Sequence, residues 1–261
     1  MRARTLVLTF IFVAGHNLHM TLAWNQYLFL WLNAACAALP DWLWASLTIT
    51  GHTSVVFALL GLLLLPQIKR TGVITGFFVA AILGGAVSTL VKESLQIPRP
   101  PAVLAEGQFH LIGHKLHLVS FPSGHTLTAF GVATLLILGL QLRGWRLAGM
   151  LVLASLIGLS RIAVGAHWPL DVLGGAALGT ACGWGGWQAA QWLHQKRWTQ
   201  SVTYSSCQAG IILLVSASLF ATQMGYPGAI IWQMAAATVG IITSLYTLLL
   251  LLKSAKLALK G

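Results

Sequence analysis

Apolar stretches separated by short polar breaks run through most of this sequence. A helix needs about 20 apolar residues to cross a bilayer. Eight stretches of that kind can be drawn, near 5–24, 42–65, 71–95, 122–140, 147–167, 169–193, 202–222 and 229–252. Asn25 to Asp41 is a shorter, tryptophan-flanked piece, the pattern of a segment lying at a membrane interface. The breaks carry helix-ending chemistry: Pro66 to Arg70, Arg143 to Arg146, Pro169, and Gly225-Tyr-Pro-Gly228. In the sixth stretch Gly175, Gly179 and Gly183 recur every fourth residue, a stripe that lets a neighbouring helix come close. The predicted fold is an all-α integral membrane protein, one membrane domain over 1–261, with a helical bundle of six core spans (about 1–200) and two additional spans (201–261). After the third span, Pro98-Arg-Pro-Pro101 is expected to be extended. Gly113-His114 between two apolar–polar runs predicts a short β-hairpin around 109–118.

Composition sharpens this picture. With 57% hydrophobic and 7% charged residues, the chain belongs in a bilayer rather than in water. A net charge of +11 would also fit a nucleic-acid binder, but the basic residues sit in small clusters between apolar blocks, so no nucleic-acid partner is expected. Arg2, Arg4, Lys69, Arg70, Arg143, Arg146, Lys196, Arg197, Lys253, Lys256 and Lys260 then fall on one side of the membrane, the cytoplasmic one, with both termini. The first stretch is read as an uncleaved span, because no small-residue cleavage site closes it and His16, Asn17 and His19 are foreign to a signal core. The other side keeps Lys92, Arg99, Lys115 and Arg161, and cations at or near membrane depth call for a function.

The acids limit the chemistry. Asp41, Glu93, Glu106 and Asp171 are all the chain has, too few for a two-metal site. Cys36, Cys182 and Cys207 have no metal-like spacing, and neither cysteine nor carboxylate joins His110 and His117. No metal or cofactor is expected. Phe121-Pro-Ser-Gly-His125 opens the fourth span, with Pro122 expected in the first turn. A helix start presents free N–H groups and the positive end of the helix dipole, which together attract phosphate. Alternating spans bring this start to the same side as Lys92, Arg99, Arg161, His167 and Asp171. The result is an anion site with two imidazoles as proton-transfer groups.

Three motifs stand in order: Lys92, six residues, Arg99-Pro100; Pro122-Ser-Gly-His125; and Ser160-Arg161, five residues, His167, three residues, Asp171. This set is similar to the three-part pattern of the type 2 phosphatidic acid phosphatase superfamily, and the resemblance covers Lys92 to Asp171. It implies His167 as a nucleophile forming a phosphohistidine and Asp171 as its orienting carboxylate. It implies His125 as the acid for the leaving group and the base for water. Lys92, Arg99, Ser123, Gly124 and Arg161 would hold phosphate oxygens, while Ser160 either helps them or serves helix packing. The implied activity is a lipid phosphate phosphatase at the outer face of the inner membrane, with undecaprenyl diphosphate the expected substrate. Phosphatidylglycerol phosphate, phosphatidic acid and lipid A follow as alternatives. Transfer to another lipid, or a membrane protein with a relic site, stays open at this stage.

Overall fold

A computed structural model describes residues 23–65, 71–196, 199 and 201–258. Nearly all of the first expected span, 5–24, lies outside these residues, as do His16, Asn17, His19, Arg2, Arg4, Lys69, Arg70, Arg197 and Lys260. The described chain is helical, with no strand among the described residues. Helix α1 (Ala23–Cys36) and helix α2 (Asp41–Thr50) meet at a bend of 118°. The expected span 42–65 is broken rather than continuous. Gly51 ends α2, and His52 caps helix α3 (Thr53–Leu60) by accepting the Ser54 N–H at Nδ1 over 3.3 Å. A 3₁₀ turn, Gly61–Leu64, follows. The polar Gly-His-Thr sequence offers the backbone a cap in place of the helical ladder, and so interrupts the apolar run.

Helix α4 (Thr71–Leu95) runs unbroken over the predicted stretch. Pro100 is not extended, but opens the one-turn helix α5 (Pro100–Val103), where proline suits the first position; Arg99, in an extended conformation, is its N-cap. Helix α6 (Gly124–Gly139) starts two residues later than expected. Pro122 lies before it, joined to Phe121 by a cis peptide bond, and Ser123 is the N-cap. Helices α7 (Gly144–Ala163), α8 (Pro169–His194), α9 (Val202–Ser218) and α10 (Ile230–Ala258) follow. Residues 164–168 are therefore a link between α7 and α8, and not the end of a span.

Among the described residues, three helical segments, Gly72–Val103, Gly144–Ala163 and Pro227–Ser254, are long and apolar enough to cross a membrane, and the bent α1–α2 pair makes a fourth candidate. Thr53–Leu64, Gly124–Gly139 and Val202–Ser218 are apolar but shorter. Helix α8 has the length, but its glycines and glutamines dilute its hydropathy. The chain is a multi-pass membrane protein whose apolar pieces vary in length more than uniform spans would.

The centre of the bundle is α8, packed on α6 and α4. A methyl group on Gly175, Gly179 or Gly183 would come 2.5, 2.3 or 2.5 Å from the backbone oxygen of Ser123, Leu127 or Gly131. Helices α6 and α8 thus touch backbone to backbone along the predicted stripe, which no side chain would allow. The last two helices join the bundle through polar ties as well as packing. Gln208 on α9 donates to Thr75 Oγ1 on α4 over 3.0 Å, and α10 packs on α9 and α3.

The loop before α6 is held to the helix ends rather than to itself, and this is why 109–118 forms no hairpin. Buried Asn33 on α1 accepts the His110 N–H at 2.7 Å and donates to the carbonyls of His110, Ile162 and Ala163 at 2.9, 3.0 and 3.1 Å. The Ile112 N–H goes to Val164 and the His117 carbonyl to the Arg99 N–H. Backbone groups that a hairpin would pair across the turn are thereby taken.

Candidate active site

One end of the bundle gathers the residues singled out by pattern. Lys92 lies in the last turn of α4, Arg99 just beyond it, and Ser123 to His125 at the start of α6. Arg161 is in the last turn of α7, His167 in the link, and Asp171 in the first turn of α8. The Ser123 N–H donates to the Asp171 carbonyl at 3.0 Å, tying the two helix starts together.

His167, 2% exposed, is held from both sides. Its Nε2 stands 3.0 Å from Arg99 Nη1, and its Nδ1 3.3 Å from Asp171 Oδ2. A guanidinium has only donors, so Nε2 must offer its lone pair and Nδ1 must carry the proton, which points at the carboxylate. Asp171 Oδ2 also accepts from the Trp168 N–H at 2.8 Å and from the Ser120 hydroxyl. Burial first, then the charges of Arg99, Arg161 and Lys92, hold the His167 imidazole well below its ordinary range and keep it neutral. A neutral imidazole with one lone pair presented among cations has the chemistry to attack an anion's phosphorus.

Arg99 is anchored through Nε on the Leu118 carbonyl at 2.8 Å and through Nη1 on the Ala166 carbonyl at 2.9 Å. Its Nη2 makes only a 3.4 Å bond to Val119. Arg161, 2% exposed, donates from Nη1 to Thr48 Oγ1 at 2.5 Å and to the Tyr226 hydroxyl at 3.0 Å; its Nε is buried and unpartnered. Lys92 lies within reach of the charges of Arg99, Asp171 and Arg161. Ser123 accepts from Thr126 Oγ1 at 2.9 Å, which leaves its own proton to donate. A methyl on Gly124 would meet nothing within 4 Å, so the approach to the α6 N–H groups is open. Ser160 is turned away, its hydroxyl donating to the Ile157 carbonyl of its own helix at 2.6 Å.

His125 lies on the wall of a cavity of about 230 Å³ lined also by Gly124, His52, Phe77, Gly84 and Leu127. The His52 ring lies edge-on to it, centroids 5.5 Å apart. The cavity runs from the polar start of α6 down between α4 and α6, with a mostly apolar lining. His110 pairs with Asp41 at 2.7 Å, and no group of three His, Cys, Asp or Glu side chains among the described residues could hold a metal ion.

Pattern reading missed Ser120, Thr48, Tyr226 and Asn33. Ser120 immediately precedes Phe121-Pro-Ser-Gly-His125, and its place beside that motif was the one available signal.

Residues 73–195 match the model of the PAP2 superfamily. The chain is 39% identical over 106 residues to the bacitracin transport permease protein BcrC of Bacillus licheniformis, covering 41% of this chain and 48% of that protein. It is 35% identical over 121 residues to the undecaprenyl-diphosphatase of Sulfolobus acidocaldarius, covering 46% of this chain and 55% of the relative. Proteins named lipid A 1-phosphatase match as well. The chain thus spans about half the length of these two curated relatives. The crystal structure of Aquifex aeolicus LpxE superposes with a TM-score of 0.55 at 34% identity, over 62% of this chain and 94% of that one.

Proposed function

This chain belongs to the PAP2 superfamily, and on that footing we propose that it is a membrane lipid phosphatase that hydrolyses undecaprenyl diphosphate through a phosphohistidine. The observation that carries the reading is the fixed tautomer of His167, with Nε2 unprotonated and accepting from Arg99, and Nδ1–H aimed at Asp171. In the first step Nε2 attacks the terminal phosphorus, the bond from phosphorus to the bridging oxygen breaks, and undecaprenyl phosphate leaves. Asp171 stabilises the positive ring that forms. In the second step water attacks the same phosphorus, the P–N bond breaks, and inorganic phosphate is released. His125 protonates a leaving oxygen that needs it and takes the proton from the incoming water. Lys92, Arg99, Arg161, the Ser123 hydroxyl and the Gly124 N–H hold the phosphoryl oxygens, with Arg suited to bidentate contact. Ser160 keeps a packing role.

The cavity beside His125 supports a lipid substrate, since its mostly apolar lining, which reaches Gly124 at the start of α6, suits a slender chain. A phosphate monoester also leaves more readily than a glyceryl alkoxide, which favours a diphosphate. In this reading the site end faces the outer side of the inner membrane, with the termini cytoplasmic. Support comes from the opposite end, where Arg146 lies over Trp145 at 5.4 Å and Lys196 over Trp192 at 4.9 Å, as basic and aromatic anchors do at a cytoplasmic interface. The test compares kcat/KM for undecaprenyl diphosphate, lipid A, phosphatidylglycerol phosphate and phosphatidic acid in one bilayer system, reading free phosphate. A tenfold preference for any of the others, about 1.4 kcal/mol, overturns the choice of lipid. Phosphorylated lipid without free phosphate overturns hydrolysis.

A further inference from the structure

The family match ends at residue 195, yet the site does not. Tyr226, on the link between α9 and α10, reaches back to the guanidinium of Arg161 with its hydroxyl 3.0 Å from Nη1. Its side chain packs against the buried cluster of Cys36, Trp44, Ala163, Val164 and Ala166, the last of these next to His167 in sequence. The link is shaped for this position. Gly225 has φ +79°, and a methyl there would fall 2.1 Å from His114 Cδ2. The facing Gly113, at φ +86°, would bring its own methyl 2.6 Å from the Gly225 carbonyl oxygen. Only glycine takes this conformation at so close an approach.

The chemistry of the guanidinium gives the contact meaning. Nη1 carries two protons, one donated to Thr48 Oγ1 and one to Tyr226 Oη. Nε is buried without a partner, and none of the hydrogen bonds that Arg161 makes among the described residues uses Nη2. The Nε–Nη2 edge is one of the two forks by which arginine grips a phosphate with parallel hydrogen bonds. A buried guanidinium without a second anchor could turn about its last torsions and lose that aim. We propose that Tyr226 is a positioning residue that fixes Arg161 Nη1, together with Thr48, so that the Nε–Nη2 edge faces the phosphoryl group. The last two helices then serve the site by delivering this hydroxyl. The inference rests on the reading of Arg161 as a phosphate ligand.

Orthovanadate, an oxyanion of phosphate shape, is the probe, titrated calorimetrically into the purified full-length chain in detergent. Tyr226→Phe keeps the ring and removes the acceptor; Thr48→Val removes the other acceptor from a different element. Each is expected to raise the orthovanadate Kd about tenfold, about 1.4 kcal/mol, and Arg161→Ala to raise it more. Adding Tyr226→Phe to Arg161→Ala is expected to change Kd by less than about twofold, since the hydroxyl acts only through that guanidinium. If Tyr226→Phe weakens binding equally in both backgrounds, its role is structural and the inference fails. It fails also if Tyr226→Phe leaves Kd unchanged while Arg161→Ala raises it, and Arg161 then remains a phosphate ligand. If Arg161→Ala itself leaves Kd unchanged, the phosphate-binding reading of Arg161 falls and takes the inference with it.

Discussion

Arg99 Nη1 lies 3.0 Å from His167 Nε2, a cation donating to the atom assigned as nucleophile. The contact does two things at once. It selects the tautomer that directs Nδ1–H to Asp171, and it raises the cost of protonating the ring. On the proposed mechanism, an entering phosphate competes for the same guanidinium and so approaches along the lone pair it is to meet.

That contact has a pH consequence. The folded-state pKa of His167 is depressed, so the ring stays neutral until the pH falls well below the ordinary imidazole value of about 6.5. The acid limb of kcat/KM, which reports the free enzyme, is expected below that value. Arg99→Gln removes one of the charges that depress it, so the limb moves to higher pH while the plateau falls. Burial, the larger cause, keeps the limb short of the ordinary position. A limb that stays in place in Arg99→Gln contradicts the electrostatic coupling.

The carboxylate side of the ring gives a second expectation. Asp171→Asn replaces an acceptor by a group that can donate toward Nδ1 and so favours the wrong tautomer. The kcat is expected to fall on the order of 10³–10⁴-fold, with a smaller change in KM, as when the orienting carboxylate of a catalytic triad is made an amide. Ser120→Ala removes one donor to Asp171 Oδ2 but leaves the Trp168 N–H, so a loss of about tenfold is expected. Steady-state kinetics on both variants check the order of the two effects.

Helix packing can be tested without touching the chemistry. Gly179→Ala puts a methyl 2.3 Å from the Leu127 carbonyl, where two backbones meet and neither can yield cheaply. A loss of about 1–3 kcal/mol is expected, seen as a lower thermal midpoint in detergent. Gly210→Ala on α9 meets nothing within 4 Å and is expected to leave that midpoint unchanged or to raise it slightly.

Orientation in the membrane is read from two exposed positions. In a background lacking Cys36, Cys182 and Cys207, a cysteine replacing His114 is expected to react with an impermeant thiol reagent added outside intact cells. One replacing Gln195 is not. The opposite pattern places the site in the cytoplasm.

Much of the site was legible because its residues lie at helix ends that the apolar blocks already mark. Lys92, Ser123, Arg161 and Asp171 each fall within a turn of a boundary that proline, glycine or a charge announces. Their partners were not legible. Thr48 is one of three hydroxyls, with Ser46 and Thr50, in a mostly apolar run 113 residues from Arg161, and Tyr226 sits in a Gly-Pro link that reads as a turn. Asn33 binds a loop 77 residues away. Such contacts depend on which helices become neighbours, and hydropathy does not encode that. The broken span at His52 and the unformed hairpin at 109–118 share one cause: single polar groups from elsewhere, or one side chain locally, took the backbone bonds that a periodic pattern assigns to a regular element.

The proposed covalent role of His167 is tested most directly by trapping a phosphoenzyme. Undecaprenyl diphosphate labelled in its terminal phosphate is mixed with the purified chain and quenched in base, where a phosphohistidine survives. The label is expected on wild-type protein, lost on later acid treatment. In His125→Ala it accumulates, because phosphate leaves the lipid with less help than water needs to attack. In His167→Ala it is absent. Label retained in His167→Ala, or mapped to His125, contradicts the assignment of the nucleophile.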